Sequence, residues 1–461
     1  MTYQAPPNGW RTFLIVWGTQ SISVFGSALT FFSMTIWLTV SLYPRPEQKP
    51  ELAIALTLVS LAGGLPAIFG APIAGAWADR HDRRRTMMVT DFASGVIVLL
   101  GALLMANQWL TLPLLLVIVM SAASLGTFHY SAFDTSYAML VPDKQLPRAN
   151  GMMQTMFALS GILSPSIAAT IIALPGLARQ GILPGSLGAW LATLQDGAPL
   201  AVTIDALTFF FAASTLIFLS IPSPHRTDLR AADGKSQKSI WADVKEGALY
   251  IWHRRPMLWL LGTFTVINFA SAPLSVFTPL IIKFNLAPDW MARGMTFETS
   301  LALISTMTSV GGVLGGMLIS AWGGLKRRRI YGILLPMILS GLVMLGIGLS
   351  PFVYLTAALV TLGYGMVPLM NAHSQAIWQG QTPRELQGRV FAVRRLIAQF
   401  SAPMSTAIAG IFGGLFNPGA VIAVLGAMLV LFCAMQLFNK QLLRVEDKEY
   451  LDQLALQQAG M

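Results

Sequence analysis

The stretch Gly75-Ala-Trp-Ala-Asp-Arg-His-Asp-Arg-Arg-Arg85 packs four arginines and two aspartates into its last seven residues, and it lies between two long apolar runs. A short charged segment so placed reads as a loop joining two membrane-crossing helices. A loop that only oriented the chain would need the arginines and not the acids. Asp79 and Arg83 are four apart, which makes them neighbours on a helical end. Gly75, four residues before Asp79, leaves a groove in which another helix could approach closely. The stretch therefore reads as a latch between helices.

Composition agrees with the membrane setting. Of 461 residues 54% are hydrophobic and only 11% charged, less than half the charge of an average soluble domain; mean hydropathy is +0.63. With roughly 20 apolar residues needed per crossing, twelve spans are predicted, at about 11–41, 52–77, 86–106, 110–140, 149–174, 200–221, 256–283, 299–323, 330–349, 351–378, 389–415 and 418–440. An even number places both termini on one side. All but five of the 30 Lys and Arg fall on that side, the exceptions being Arg45, Lys49, Arg179, Lys283 and Arg293. By the positive-inside tendency both termini are cytoplasmic. The net charge of +10 is thereby explained by topology, and nucleic acid is not an expected partner. The first apolar run is too long for a removable signal peptide. The single cysteine, Cys433, lies in an apolar span and reads as packing.

The opening stretch resembles the signature loop of the major facilitator superfamily, G-x-x-x-D-R-x-G-R-R/K, with Gly75, Asp79, Arg80, Arg83 and Arg84 in register. Asp82 stands where that pattern has glycine, so a tight turn made by an Asp in the left-handed region is expected there. The resemblance implies an all-α integral membrane fold with twelve helices in two pseudo-symmetric six-helix halves. It also implies that Asp79 meets the cytoplasmic start of the eleventh span, near Gly388, and that Arg83 bridges Asp79 to Asp134 of the fourth. Further segments are similar to the macrolide-efflux and siderophore-export branch: Trp17-Gly-Thr-Gln-Ser-Ile-Ser-Val-Phe-Gly-Ser27, the acid Asp91, the turn Leu140 to Asn150, Asp205-Ala-Leu-Thr-Phe209, and the turn Pro383 to Val390.

Polar residues within the spans supply the candidate site, because an ionisable group inside a membrane is expensive and is functional by default. Asp205 and Asp91 are candidate proton-coupling acids. Asp134 sits too deep for free hydration and needs a cationic partner, the loop arginines being nearest. Gln20, His129, Tyr130, Asn268, Asn371 and His373 are candidate cavity-lining groups, His373 reading equally as a packed donor to a neighbouring helix. The second half repeats the first: Gly311-Gly312, Ala321-Trp322 and Arg327 to Arg329 echo Gly63-Gly64, Ala76-Trp77 and Arg83 to Arg85. Gly324 there stands in the place of Asp79.

The expected organisation is a first half at 1–221, a cytoplasmic linker at 222–255 carrying an amphipathic surface helix from about 239 to 252, a second half at 256–440, and a tail at 441–461 that is a short solvated helix at most. No Gly-x-x-x-x-Gly-Lys-Ser/Thr loop occurs, since Gly234-Lys-Ser236 lacks the glycine five before it, so no ATP-driven motor is expected. No metal-ligand spacing and no nucleophile constellation is found, and neither an enzyme nor a cofactor is expected. The reading is a monomeric exporter of amphipathic small molecules, drug, antibiotic or siderophore-like, working by proton-coupled alternating access in the cell membrane. A lysophospholipid transporter of the same fold is the nearest rival, and a non-transporting membrane receptor or assembly subunit is a rival of another class.

Overall fold

The computed structural model describes residues 6–221, 240–383 and 386–459. Among these, helices account for all regular structure, and twelve are long and apolar enough to cross a membrane. The chain is a multi-pass membrane protein. It divides into two compact units, Met1–Gly234 with Leu301–Thr306, and Lys235–Ser300 with Met307–Met461.

The first unit holds α1 (Gly9–Ile36), α2 (Lys49–Arg80), α3 (Arg83–Ala106), α4 (Leu112–Leu140), α5 (Leu146–Arg179), the short α6 (Gly185–Thr193) and α7 (Ala198–Ile217). Proline stands in the first two positions of α2, α4, α5 and α7, where its missing N–H costs nothing and its fixed φ favours the first turn. One buried cluster joins Val16, Ala78, Met87, Phe133, Met156 and Leu216 from six helices. Gly26 lets α1 close on α7, because a Cβ there would stand 2.7 Å from Asp205 Oδ1.

The second unit holds α8 (Ile240–Trp252), α9 (Arg255–Ser271), α10 (Leu274–Leu280), α11 (Ala287–Ala292), α12 (Phe297–Trp322) apart from Leu301–Thr306, α13 (Tyr331–Leu349), α14 (Val353–Gln381), α15 (Gln387–Leu415), α16 (Pro418–Gln436), α17 (Lys440–Leu443) and α18 (Lys448–Ala459). Glycine pairs bring backbones together here. Gly341 faces Gly426 and Gly348 faces Gly419 between α13 and α16, while Gly315 faces Gly365 between α12 and α14. Such close approach is what drives helix association in lipid, where no hydrophobic gain is available.

The repeat read from the sequence has a structural counterpart. α1 ends in a π-helical turn, Trp37–Leu42, and α10 ends in another, Ile281–Asn285, the two starting 244 residues apart.

Two expectations about the polar ends need revision or limit. Most of the linker, 222–239, lies outside the described residues, as do 384 and 385 of the turn before α15. α8 is present, and it packs on the start of α15 and the end of α14: a Cβ at Gly247 would stand 2.6 Å from the Arg389 carbonyl, Glu246 pairs with Arg389 at 2.7 Å, and the Tyr250 hydroxyl donates to the Gln381 carbonyl at 2.7 Å. The tail is not merely solvated. Leu442, Val445 and Leu451 are buried, Gln381 donates to the Glu446 carbonyl at 3.1 Å, and Arg254 pairs with Asp452 at 3.2 Å. Its few apolar side chains dock it onto the second unit.

Candidate functional site

The signature loop spans the end of α2 and the start of α3. Arg83 is buried, and its guanidinium donates to the Ala78 carbonyl at 3.3 Å and the Thr135 carbonyl at 3.4 Å, contacts Met139 Sδ, and lies 3.9 Å from Asp79. Arg84 donates to the carbonyls of Leu216 and Ile217 at 2.8 and 2.6 Å. It thereby satisfies the end of α7, where backbone carbonyls lack helical partners. Asp79 and Arg80 are exposed, and so is Asp134 on α4, which the sequence placed beyond hydration.

Asp82 does not make the left-handed turn expected of it. It has φ −63° and ψ 112°, and its carboxylate accepts the Arg85 N–H at 2.9 Å as the N-cap of α3. An Asp here is explained by capping, and a glycine would forgo that bond. At Gly75, among the described residues, nothing outside its own helix lies within 4 Å of where a Cβ would stand. The same holds for Gly388, exposed in the first turn of α15.

Inside the first unit lies a cavity of about 390 Å³ lined by residues of α1 to α5 and α7. Its wall is apolar, with Phe31, Met34, Phe133, Met156, Phe157 and Phe209, and Gln20, Asp91, His129, Tyr130 and Asp205 interrupt it. Three of these meet at one carboxylate. Asp91, 1% exposed, has His129 Nδ1 2.9 Å from Oδ1 and accepts from Gln20 Nε2 at 3.2 Å on Oδ2. The Thr90 hydroxyl stands 3.4 Å from the same imidazole nitrogen. Three spans thus converge on Asp91, whose burial rules out the snorkelling that its shallow position in the sequence allowed.

Asp205 is held differently. It is also 1% exposed, and its Oδ1 accepts from the hydroxyls of Ser27 and Thr208, each at 3.4 Å. Among the described residues it has no cationic partner within salt-bridge distance. A buried carboxylate served only by hydroxyls is one that a proton can neutralise at little structural cost.

The second unit has a cavity of about 310 Å³ that includes Asn268 and Asn371 with Gln375, Trp378, Arg394 and Arg395. Arg394 donates to Gln375 Oε1 at 2.9 Å and to Ser374 Oγ at 3.1 Å, and its guanidinium stands 5.3 Å from the Trp378 ring centre. This residue was missed in the sequence reading, although an arginine within the span 389–415 is itself the signal. His373 is not part of that cavity. It is buried, its Nδ1 donates to the Leu369 carbonyl at 2.7 Å, and its Nε2 accepts the Leu325 N–H at 2.9 Å. It is the packed histidine of the two readings.

Comparison with known proteins places these features in a family. The Major Facilitator Superfamily family model matches residues 16–406. Macrolide efflux protein A of Streptococcus pyogenes is 26% identical over 418 residues, covering 88% of this chain and 90% of that protein. Multidrug efflux pump Tap of Mycolicibacterium fortuitum is 24% identical over 377 residues, covering 78% and 80%. Among solved structures, an inward-facing bacterial homologue of the human lysosomal transporter Spinster superposes with a TM-score of 0.60 at 15% identity, over 98% of this chain and 97% of that one; this likeness is one of fold.

Proposed function

The chain belongs to the Major Facilitator Superfamily and is a transporter by that membership, and we propose that it exports amphipathic small molecules, macrolide-like drugs among them, by proton-coupled alternating access. The observation that carries this reading is the first unit's cavity, apolar and aromatic in its walls, with a few convergent polar groups. That is the make-up of a site for a largely apolar ligand, and its volume of about 390 Å³ lies in the usual range for small molecules. The relatives named for macrolide and multidrug efflux support the same substrate class.

In this proposal Asp205 is the principal proton site, because its hydroxyl partners serve both the charged and the protonated form. Asp91, shared by Gln20 and His129, is the second. The two six-helix halves, a pair of parallel repeats, rock against one another about a mid-membrane site in alternating access. The loop from Gly75 to Arg84 is the cytoplasmic latch, with Asp79 toward the start of the eleventh span near Gly388 and Asp134 as the acid that loosens Arg83. The protein is a monomer of the cell membrane with both termini cytoplasmic, as the distribution of Lys and Arg indicates.

The test is transport in everted vesicles, with erythromycin as the probe and proton release from the lumen as the readout. Wild-type protein should release protons on addition of drug, and Asp205→Asn should abolish that release while drug still binds. Drug accumulation in wild-type vesicles with no proton movement would overturn proton coupling. No accumulation of any drug, siderophore or lysophospholipid tried would overturn export of amphiphiles.

A further inference from the structure

Beside the signature loop, on the outside of the first unit, α2, α3 and α4 leave a cleft of about 640 Å³. Its walls are Ile73, Trp77, Val89 and Phe128, and its rim is His81, Asp82 and Arg85. The wall side chains Ile73 and Val89 are 64% and 59% exposed, which in a membrane-spanning unit marks surface that acyl chains cover. The rim is built rather than loose. Trp77 and His81 stack at 3.6 Å with rings 8° from parallel, Phe128 meets Trp77 edge-on, and Trp77 Nε1 donates to Thr86 Oγ1 at 3.2 Å.

The three consecutive arginines of the loop differ in what they do. Arg83 and Arg84 are turned inward onto carbonyls of α2, α4 and α7. Arg85 is exposed at the cleft, and among the described residues its guanidinium has no hydrogen-bond or ion-pair partner. Asp82 uses Oδ1 on the Arg85 N–H, leaving Oδ2 to accept from a hydroxyl. Residues 79–85 together carry four arginines against two aspartates, so the field at the rim is positive.

We propose that this cleft binds one anionic phospholipid with a hydroxyl-bearing headgroup, phosphatidylglycerol in its chemistry. The phosphate meets Arg85, a headgroup hydroxyl donates to Asp82, and the acyl chains lie along Ile73, Val89 and Phe128 under the Trp77–His81 stack. Aromatic side chains at the headgroup level and basic residues near an anionic leaflet are the general physics. The free arginine beside a preformed apolar cleft is the specific part. Because the cleft shares Trp77, His81, Asp82 and Arg85 with the signature loop, a bound lipid would stiffen the loop itself.

The experiment is native mass spectrometry of the full chain released from micelles containing equimolar phosphatidylglycerol, phosphatidylethanolamine and phosphatidylcholine. Wild-type protein should retain one phosphatidylglycerol in preference to both others. Arg85→Gln should lower that retention about fivefold, the worth of one basic side chain at an anionic surface. Arg80→Gln removes the same charge from the same loop outside the cleft and should change retention less than twofold. Val89→Trp, which fills the cleft and keeps every charge, should also lose the lipid, and it stands in if Arg85→Gln fails to fold. Equal losses in Arg85→Gln and Arg80→Gln, no preference over the zwitterionic lipids, or full retention in Val89→Trp would each overturn the proposal.

Discussion

If Asp91 and His129 form a working pair, their contributions to stability must be coupled, and a double-mutant cycle reads the coupling directly. The perturbations are Asp91→Asn, His129→Leu and both together. Asp91 is 1% exposed and the His129 side chain 15%, with 2.9 Å between Oδ1 and Nδ1. A hydrogen bond to a charged group contributes about 1.5–3 kcal/mol, and removing one member of a buried pair costs about 3–5 kcal/mol when the other stays charged. His129→Leu leaves the carboxylate buried with Gln20 alone, whereas Asp91→Asn leaves an imidazole that can shed its proton. His129→Leu should therefore cost more than Asp91→Asn. The double variant should cost less than the sum by about 1.5–3 kcal/mol, toward the lower figure because His129 retains some access to solvent. Reversible unfolding of the purified protein in mixed micelles measures all three. Additivity within about 0.5 kcal/mol, the behaviour of independent sites, would show that the contact carries no energy and refute the convergence on Asp91.

Further outcomes follow from other sites. Asp82→Ala should lower stability by about 1 kcal/mol as a lost helix cap, while Asp82→Asn keeps the cap and changes little; an equal loss in both would dissociate the residue from capping. In the same assays Asp79→Asn should fold and bind drug normally but lose export, and wild-type export by this variant would remove Asp79 from the latch. Gly348→Ala places a Cβ 2.3 Å from the Gly419 carbonyl oxygen and should destabilise by about 1–3 kcal/mol as overpacking. Gly18→Ala, with nothing within 4 Å of its Cβ, is the control and should be neutral or mildly stabilising in a thermal melt. Where α11 meets the start of α14, Asp289 accepts Arg293 Nε at 3.0 Å on both oxygens and the Val353 N–H at 2.9 Å. The Arg293 hydrogen bond first, then that amide, hold its pKa below the ordinary carboxylate value. Its stabilising effect is then fully present above about pH 4 and lost as pH falls through the lowered value. The melting-temperature gap between wild type and Asp289→Asn should be constant from pH 7 to about pH 4 and close below it; a gap that widens on acidification contradicts the assignment.

How much of this was legible beforehand depends on whether the signal is local or requires a partner. The twelve spans follow from hydropathy, and the repeat from an offset that the π-helical turns at Trp37 and Ile281 reproduce. Asp91 and Asp205 were visible because an acid in an apolar run is conspicuous by itself. What could not be read is that His129, 38 positions along the chain and on another helix, stands against Asp91, because periodicity within one helix carries no register between helices. Asp82 was misread for the opposite reason. A family pattern with glycine there suggested a turn, while its own sequence, an Asp three residues before the Arg85 N–H it accepts, is that of a helix cap. The tail was underestimated because Leu442, Val445 and Leu451 are too few to give a period, yet each is buried.

The two copies of the loop differ in how they are held. In the second unit the corresponding turn has Gly323 and Gly324 at φ 78° and 75°, with Arg328 at φ 53°, and it is fastened by His373 accepting the Leu325 N–H. That imidazole donates from Nδ1 to the Leu369 carbonyl and accepts at Nε2, so both ring nitrogens are used in holding the turn. In the first unit the same place is occupied by Asp79, Arg83 and Arg84, whose contacts are ionic or charge-assisted. A neutral, glycine-bent turn holds one geometry. A charged loop whose Asp79 is exposed while Arg83 is buried keeps a carboxylate available for a partner outside its own helix. The repeated topology accounts for the arginines in both loops, so the carboxylate present in only one of them is the part that topology leaves unexplained.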